Sequence, residues 1–219
     1  TPNGRVAVVA ATATFRPWNQ AGEQRPDLPG RPGINPLGFQ TDYRIDSAAF
    51  DQVKRISREL GFDKSHERAR KHFYSDKEMP DAKSAELSLL GNRYVLGEKF
   101  SIETEANERD LQDNLRWIRE ARRQADWLIV SVHCHEFGGA SLLTASSRAE
   151  LEETAGFVVR FAHQATDEGA DIFVGHGSHF PMGIEIYQGK PNFYSVGNFI
   201  FQNETVGFFP ARAYGRFDL

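Results

Sequence analysis

Two short stretches concentrate the residues with chemical potential. "VSVHCHEFGG" (130–139) carries His133 and His135, with Glu136 directly after, and "VGHGSHF" (174–180) carries His176 and His179. Each group follows an apolar run. Neutral imidazole is the commonest protein ligand for zinc, iron and related ions. A turn needs glycine but has no need of two imidazoles. Gly175 and Gly177, on either side of His176, therefore read as a backbone bent to aim nitrogen ligands at one point. His133 and His135 stand at i and i+2, so in an extended segment both side chains leave from the same face. The competing reading is hydrogen-bonded core or turn histidines. Four of the seven histidines lie in these two strand-end groups, which favours a metal or catalytic site over that alternative. Spacing does not identify the metal. His66 and His72, set among lysines, arginines and acids, read as solvated surface.

The elements around these groups must bring them together. "DWLIVSV" (126–132) and "DIFVG" (171–175) read as buried strands, each ending at a histidine. Between them Ser147 and Glu150 open a helix expected from about 147 to 168, with the stripe Leu151, Ala155, Val158, Ala162 and Ala165 and with Gly169 after its end. Strand, helix and strand form one βαβ crossover, so the two strands are expected to be parallel. His133 and His176 then both follow carboxyl strand ends, the edge where open α/β sheets bind ligands. His133, His176 and His179 are expected to converge, with His135 close but more peripheral.

Elsewhere, "RVAVVAATATF" (5–15) reads as a buried strand, and Phe50, Val53, Ile56 and Leu60 mark a helix from Ser47 that Gly61 ends. Residues 92–102 read as one or two short strands turning at Gly97. Asn107 with Asp110 caps a helix whose stripe is Leu111, Leu115, Ile118 and Ala121. "GIEIY" and "NFYSV" read as a hairpin across "QGKP". Residues 16–41 hold five of the ten prolines and are expected to form a long irregular loop. Its Arg16, Arg25 and Arg31 make it either a solvated excursion or a cover over an anionic substrate.

Composition bounds the rest. A 219-residue chain with 40% hydrophobic and 26% charged residues is ordinary for one globular domain, 1–219. The formal net charge of −4 offers no basic field for nucleic acid. No apolar run reaches the roughly 20 residues of a membrane span. Cys134 is the single cysteine, so no internal disulfide forms.

The segment "GADIFVGHGSHFPMGIEIYQGKPNFYSVGNFIFQ" resembles the signature of the CapA-type capsule-synthesis proteins, associated with poly-γ-glutamate. "VSVHCHEFG" resembles the earlier histidine segment of that family, and "RPGINPLGF" a loop of one branch. The resemblance is strongest over about 126–205. It implies an α/β fold, the four-layer α/β/β/α metallophosphoesterase-like sandwich that holds divalent ions, one or two, of zinc, manganese or iron. This chain is expected to carry the carboxyl-terminal half to two-thirds of it, without the amino-terminal acidic metal-binding half. By the same resemblance His133 matches the isolated histidine ligand, His176 and His179 the paired ligands, and Asn198 a supporting position beside them. The pair is His-x-x-His rather than His-x-His, and His135 replaces a glycine.

Three functions are compatible with these residues. The first is a metal-dependent hydrolase acting on an anionic polymer such as poly-γ-glutamate, or on a small phosphorylated or amide substrate, with His135 or Glu136 moving protons. The second is a non-enzymatic capsule assembly or export component that binds the polymer. The third is a nucleotide phosphoesterase on the same scaffold. The resemblance further implies capsule-synthesis partner proteins and an extracytoplasmic or membrane-associated location, and no nucleic-acid partner is expected.

Overall fold

The computed structural model describes residues 4–62, 64, 85–138, 153–200 and 207. Nine strands and three longer helices are found among them, in two sheets. Strands β1 (Val6–Thr12), β6 (Trp127–His133), β7 (Ile172–His176) and β9 (Lys190–Phe193) run parallel in adjacent positions, and β8 (Ile184–Tyr187) closes the edge antiparallel to β9. The second sheet is mixed, in the order β3 (Glu86–Leu89), β4 (Asn92–Leu96), β2 (Phe39–Ile45), β5 (Ser101–Ala106). The architecture is an α/β arrangement of two sheets with helices between strands.

Alternation along β6 fixes which way the first sheet faces. Leu128, Val130 and Val132 are buried, whereas Trp127, Ile129, Ser131 and His133 point to the other face. Helix α2 (Glu108–Arg122) packs on β1 and β6, and helix α3 (Gly156–Asp167) packs on β7, on α2 and on β5 of the second sheet. Leu115, Ile118, Phe157, Phe161 and Phe173 form the centre of this core. Phe39 of β2 stacks on Phe157 at 4.6 Å, tying the second sheet to the helical layer. On the opposite face Val6, Val8, Trp127, Ile184 and Ile186 are exposed. The strand at 5–15 is therefore covered on one face only by the described residues, not on both as its unbroken apolar run suggests.

The crossover from β6 to β7 is parallel as expected, but its helix starts later. Residues 153–155 precede the helix: Thr154 bridges Phe137 and Gly138 N donates to the Glu153 carbonyl. Thr104 Oγ1 of β5 then accepts from Phe157 N, so the cap of α3 comes from another strand. Ser147, Glu150 and Leu151, the expected helix opening, lie outside the described residues, as do His66 and His72. Local caps do form elsewhere. Asp46 accepts from Ala49 N at the start of helix α1 (Ser47–Glu59), and Asn107 accepts from Asp110 N at the start of α2.

The proline-rich stretch is more ordered than an irregular loop. Backbone bonds link Ala21 to Ile34, Gly22 to Arg31 and Arg25 to Leu28, making a ladder-like arm, and β2 already begins at Phe39. Pro26 occupies the second position of the tip turn Arg25–Leu28, where its fixed φ is an advantage. Backbone donors need partners wherever they are, and here the two limbs supply them. Asn114 anchors the arm's return. It is fully buried, donates to the Pro36 and Asp110 carbonyls and accepts from Asn35 Nδ2 at 2.7 Å. No helix among the described residues is long and apolar enough to cross a membrane.

Asp171 fastens the amino end of β7. Its carboxylate accepts from Leu128 N (2.9 Å), Arg122 Nη1 (2.7 Å) and Lys190 Nζ (3.0 Å), joining β6, α2 and β9. Burial pushes the group up, but the hydrogen bonds from Leu128, Lys190 and Arg122 outweigh it and hold the carboxyl below its ordinary value. A depressed folded pKa gives stability that is fully present above the unfolded value of about 3.9 and is lost as pH falls through the folded one. Asp171→Asn should cost about 1–3 kcal/mol in urea unfolding at pH 7. The gap to wild type should shrink once the pH falls below about 4. A gap of the same size at pH 7 and pH 3 would refute the charge argument. Asn114→Ala should cost about 1–3 kcal/mol by leaving Asn35 and the Pro36 carbonyl short of a partner; an unchanged unfolding midpoint would show that the arm's root does not need it.

Candidate metal centre

Register sets the geometry of the site. In the parallel pair β6–β7, His133 stands opposite His176. Both belong to the uncovered face of the sheet, at its carboxyl edge. With strands roughly 4.8 Å apart, the rings converge, and Nδ1 of His133 lies 3.2 Å from Nδ1 of His176. The turn that follows is held by close backbone approach. A Cβ on Gly175 would meet the Tyr194 carbonyl oxygen at 2.2 Å. Gly177 adopts φ +114°, and a Cβ there would meet the Cys134 carbonyl oxygen at 2.6 Å. Cys134 N donates to the His176 carbonyl across this gap. Ser178 Oγ lies 2.7 Å from Ser195 Oγ and 2.8 Å from the Phe180 carbonyl, which pins the turn to the segment after β9.

The four histidines form a chain of rings. His176 and His133 have centroids 5.1 Å apart, His133 and His135 4.7 Å, and His135 and His179 6.0 Å. His135 is exposed, and its ring lies next to those of His133 and His179. His179 has φ +68° and places Nδ1 3.3 Å from Asn198 Oδ1. An amide oxygen only accepts, so this contact has Nδ1–H donating and leaves Nε2 as the nitrogen with the lone pair. Asn198 therefore stands beside His179. Ser131 Oγ, 3.2 Å from His176 Nε2, is a neighbour that the sequence reading passed over. Its only signal there was its place two residues before His133 on the same strand face.

Charge in the site is low. Burial, with smaller contributions from His135, His176 and His179, lowers the pKa of His133, and burial lowers that of His176. Both are held in the neutral form that can coordinate an ion. Burial raises the Glu136 carboxyl against the downward pull of His135. Burial also pushes the Cys134 thiol up to about 12, so it is protonated at neutral pH.

Two imidazole nitrogens 3.2 Å apart fit one divalent ion. With bonds of about 2.0–2.2 Å they would subtend roughly 95–105° at it, between octahedral and tetrahedral values. Among the described residues no three His, Cys, Asp or Glu side chains are already gathered tightly enough to hold an ion. Among the four histidines, His133 and His176 make the 3.2 Å nitrogen–nitrogen approach, and the rings of His135 and His179 follow in the chain.

The arginine-bearing arm is rooted at the same edge. Thr12, the register partner of His133, bridges Pro36, and Ala13 N donates to the His133 carbonyl. Farther out, Arg16 lies over the Trp18 ring at 5.6 Å, Arg25 pairs with Asp27 at 2.8 Å, and Arg31 donates to the Trp18 and Gln20 carbonyls. Arg25 and Arg31 thus take part in the arm's own structure.

Comparison with known proteins locates this arrangement. The family model described as "Bacterial capsule synthesis protein PGA_cap" matches residues 1–203. An uncharacterized protein of Sinorhizobium fredii, y4sH, is 34% identical over 203 residues, covering 93% of this chain and 39% of the relative. A probable polyglutamine synthesis accessory protein of Mycobacterium tuberculosis is 35% identical over 101 residues, 46% of this chain and 23% of the relative. The PGA biosynthesis protein CapA of Bacillus subtilis is 36% identical over 84 residues, 38% of this chain and 19% of the relative. The chain spans about two fifths of the length of the Sinorhizobium relative. Because the family match takes in every strand of both sheets and all four histidines, the chain belongs to the bacterial capsule synthesis family PGA_cap.

Proposed function

We propose that this chain carries the histidine side of a metal-dependent hydrolase of the CapA type, acting on an anionic polymer such as poly-γ-glutamate. The observation that carries the reading is the 3.2 Å approach of the two Nδ1 atoms of His133 and His176, both on half-buried rings kept neutral by burial. His133 and His176 would hold a zinc, manganese or iron ion through these atoms, and His179 would add Nε2. A divalent ion there supplies positive charge that activates water and offsets the negative charge developing on the substrate.

The remaining residues act around that position. Glu136, with its pKa raised by burial, exchanges a proton nearer to neutral pH than an ordinary glutamate. His135, edge-on to His133, would pass protons between Glu136 and the site. Arg16, Arg25 and Arg31 give the arm positive charge toward carboxylates of the polymer. Neutral imidazoles alone do not offset the charge of two ions, so a dinuclear site would draw carboxylates from other residues of the whole protein.

A second reading has its own support. The Mycobacterium and Bacillus relatives are named for synthesis, one of them as an accessory protein. In that reading the same edge binds the polymer for assembly, next to capsule-synthesis partners, without cutting it.

In the whole protein, His176→Ala should lower bound metal at least about 10-fold by elemental analysis and abolish release of glutamate oligomers from poly-γ-glutamate, with an unchanged circular dichroism spectrum. His179→Ala should do the same. Full metal content in either variant would refute the metal assignment. Wild-type protein that retains metal and binds the polymer without cleaving it would favour the assembly reading.

A further inference from the structure

We propose that Ser131 is a positioning residue that holds the His176 imidazole with its proton on Nε2, so that the Nδ1 lone pair faces His133. The inference rests on the metal reading above and adds a residue to it. Ser131 lies on β6, two positions before His133, and its register partner on β7 is Val174, two positions before His176. It is therefore the diagonal neighbour of His176 across the strand pair, within reach of a long side chain. The contact is made: Ser131 Oγ is 3.2 Å from His176 Nε2.

Each nitrogen of the half-buried His176 ring thus has one partner. Nδ1 faces His133 Nδ1, and Nε2 faces the serine hydroxyl. An ion takes an imidazole through an unprotonated nitrogen, and the other nitrogen then carries the proton and needs an acceptor. A hydroxyl oxygen supplies one. The residue type is itself out of place. The register partners of Ser131 on the same face are Ala10 and Val174, so β6 carries a hydroxyl between apolar residues at this level, directly beneath the histidines and diagonal to Thr12. The same logic holds His179 through the opposite nitrogen, because Asn198 Oδ1 engages Nδ1. In this proposal the pair is presented in opposite tautomers, His176 by Nδ1 and His179 by Nε2, the second set by the acceptor-only amide oxygen of Asn198 and the first by the Ser131 hydroxyl turned to accept.

The test reads tautomer and affinity separately. Long-range proton–nitrogen NMR on the histidine-labelled full chain, free of metal, should show His176 protonated on Nε2. Ser131→Ala should move it toward a mixture of tautomers, and Ser131→Thr, which keeps the hydroxyl, should restore it. Titration with zinc or manganese should show affinity weakened about 10–100-fold in Ser131→Ala and recovered in Ser131→Thr. His176 protonated on Nδ1 in the wild type, or tautomer and affinity both unchanged in Ser131→Ala, would overturn the proposal. A wild-type chain with the Nε2 proton that takes up no metal would support the positioning role and overturn the metal reading alone.

Discussion

The parallel pairing of β6 with β7, in the one register that sets His133 opposite His176, is the constraint on which the site depends. A slip of one residue would send one imidazole to the helix-covered face. The helix-facing residues prevent that slip. Leu128, Val130, Val132 and Phe173 are buried against α2 and α3, and exposing them would cost roughly 1.5–3 kcal/mol each. Asp171 locks the other end by binding the backbone N–H of Leu128 and two cations at once. The core therefore sets the spacing of the two nitrogens without touching either.

The turn after β7 turns that spacing into a site. Gly175 and Gly177 let the backbone come within side-chain-free distance of Tyr194 and Cys134, and the chain then places His179 in a left-handed conformation beside Asn198. A β-branched residue at Gly177 would clash and would be strained at φ +114°. The packing that closes the turn, Ser178 against Ser195, also ties it to the hairpin of β8 and β9. These pieces are adjacent in sequence within the segment 172–198, which is why a compact motif was visible there.

That visibility had limits with physical causes. Strands β1, β4, β6 and β7, the cap at Asn107 and the histidine groups were legible because each depends on local pattern, period or cap chemistry. The hairpin was legible too, though β9 begins at Lys190 and the turn is shorter than QGKP, whereas β2, β3 and the cap at Asp46 were not read. The start of α3 was not legible, because its cap is Thr104, 53 residues from the N–H it accepts from. The arm's ladder was hidden for a similar reason: proline counts exclude helix and central strand but not two limbs that satisfy one another. An apolar run such as 5–15 reads as buried on both sides, whereas the described residues cover only one face of β1. The order of the rings, with His135 between His133 and His179, depends on side-chain directions that periodicity does not encode. Ser131 was missed because a serine in a strand carries no signal until its neighbour across the sheet is known.

The charge of the site gives a last link between its chemistry and its proposed substrate. Its nearest donors are neutral imidazoles, and burial keeps His133 and His176 in that form. A carboxylate-rich site cancels much of an ion's charge, whereas a site of imidazoles leaves it directed outward. In a half-buried setting the field of the proposed ion would fall off less steeply than in water, while Arg25 and Arg31 of the arm are engaged by Asp27 and by the Trp18 and Gln20 carbonyls. Under the proposed function, a polymer bearing one carboxylate per residue would be the kind of ligand that such a field gathers. A net charge of −4 over the whole chain works against long polyanions only where the local field does not dominate. Selectivity between a carboxylate polymer and a phosphate ester would then rest on how far the arm stands from the histidines, since carboxylates spaced along a chain can engage both and a single phosphate cannot.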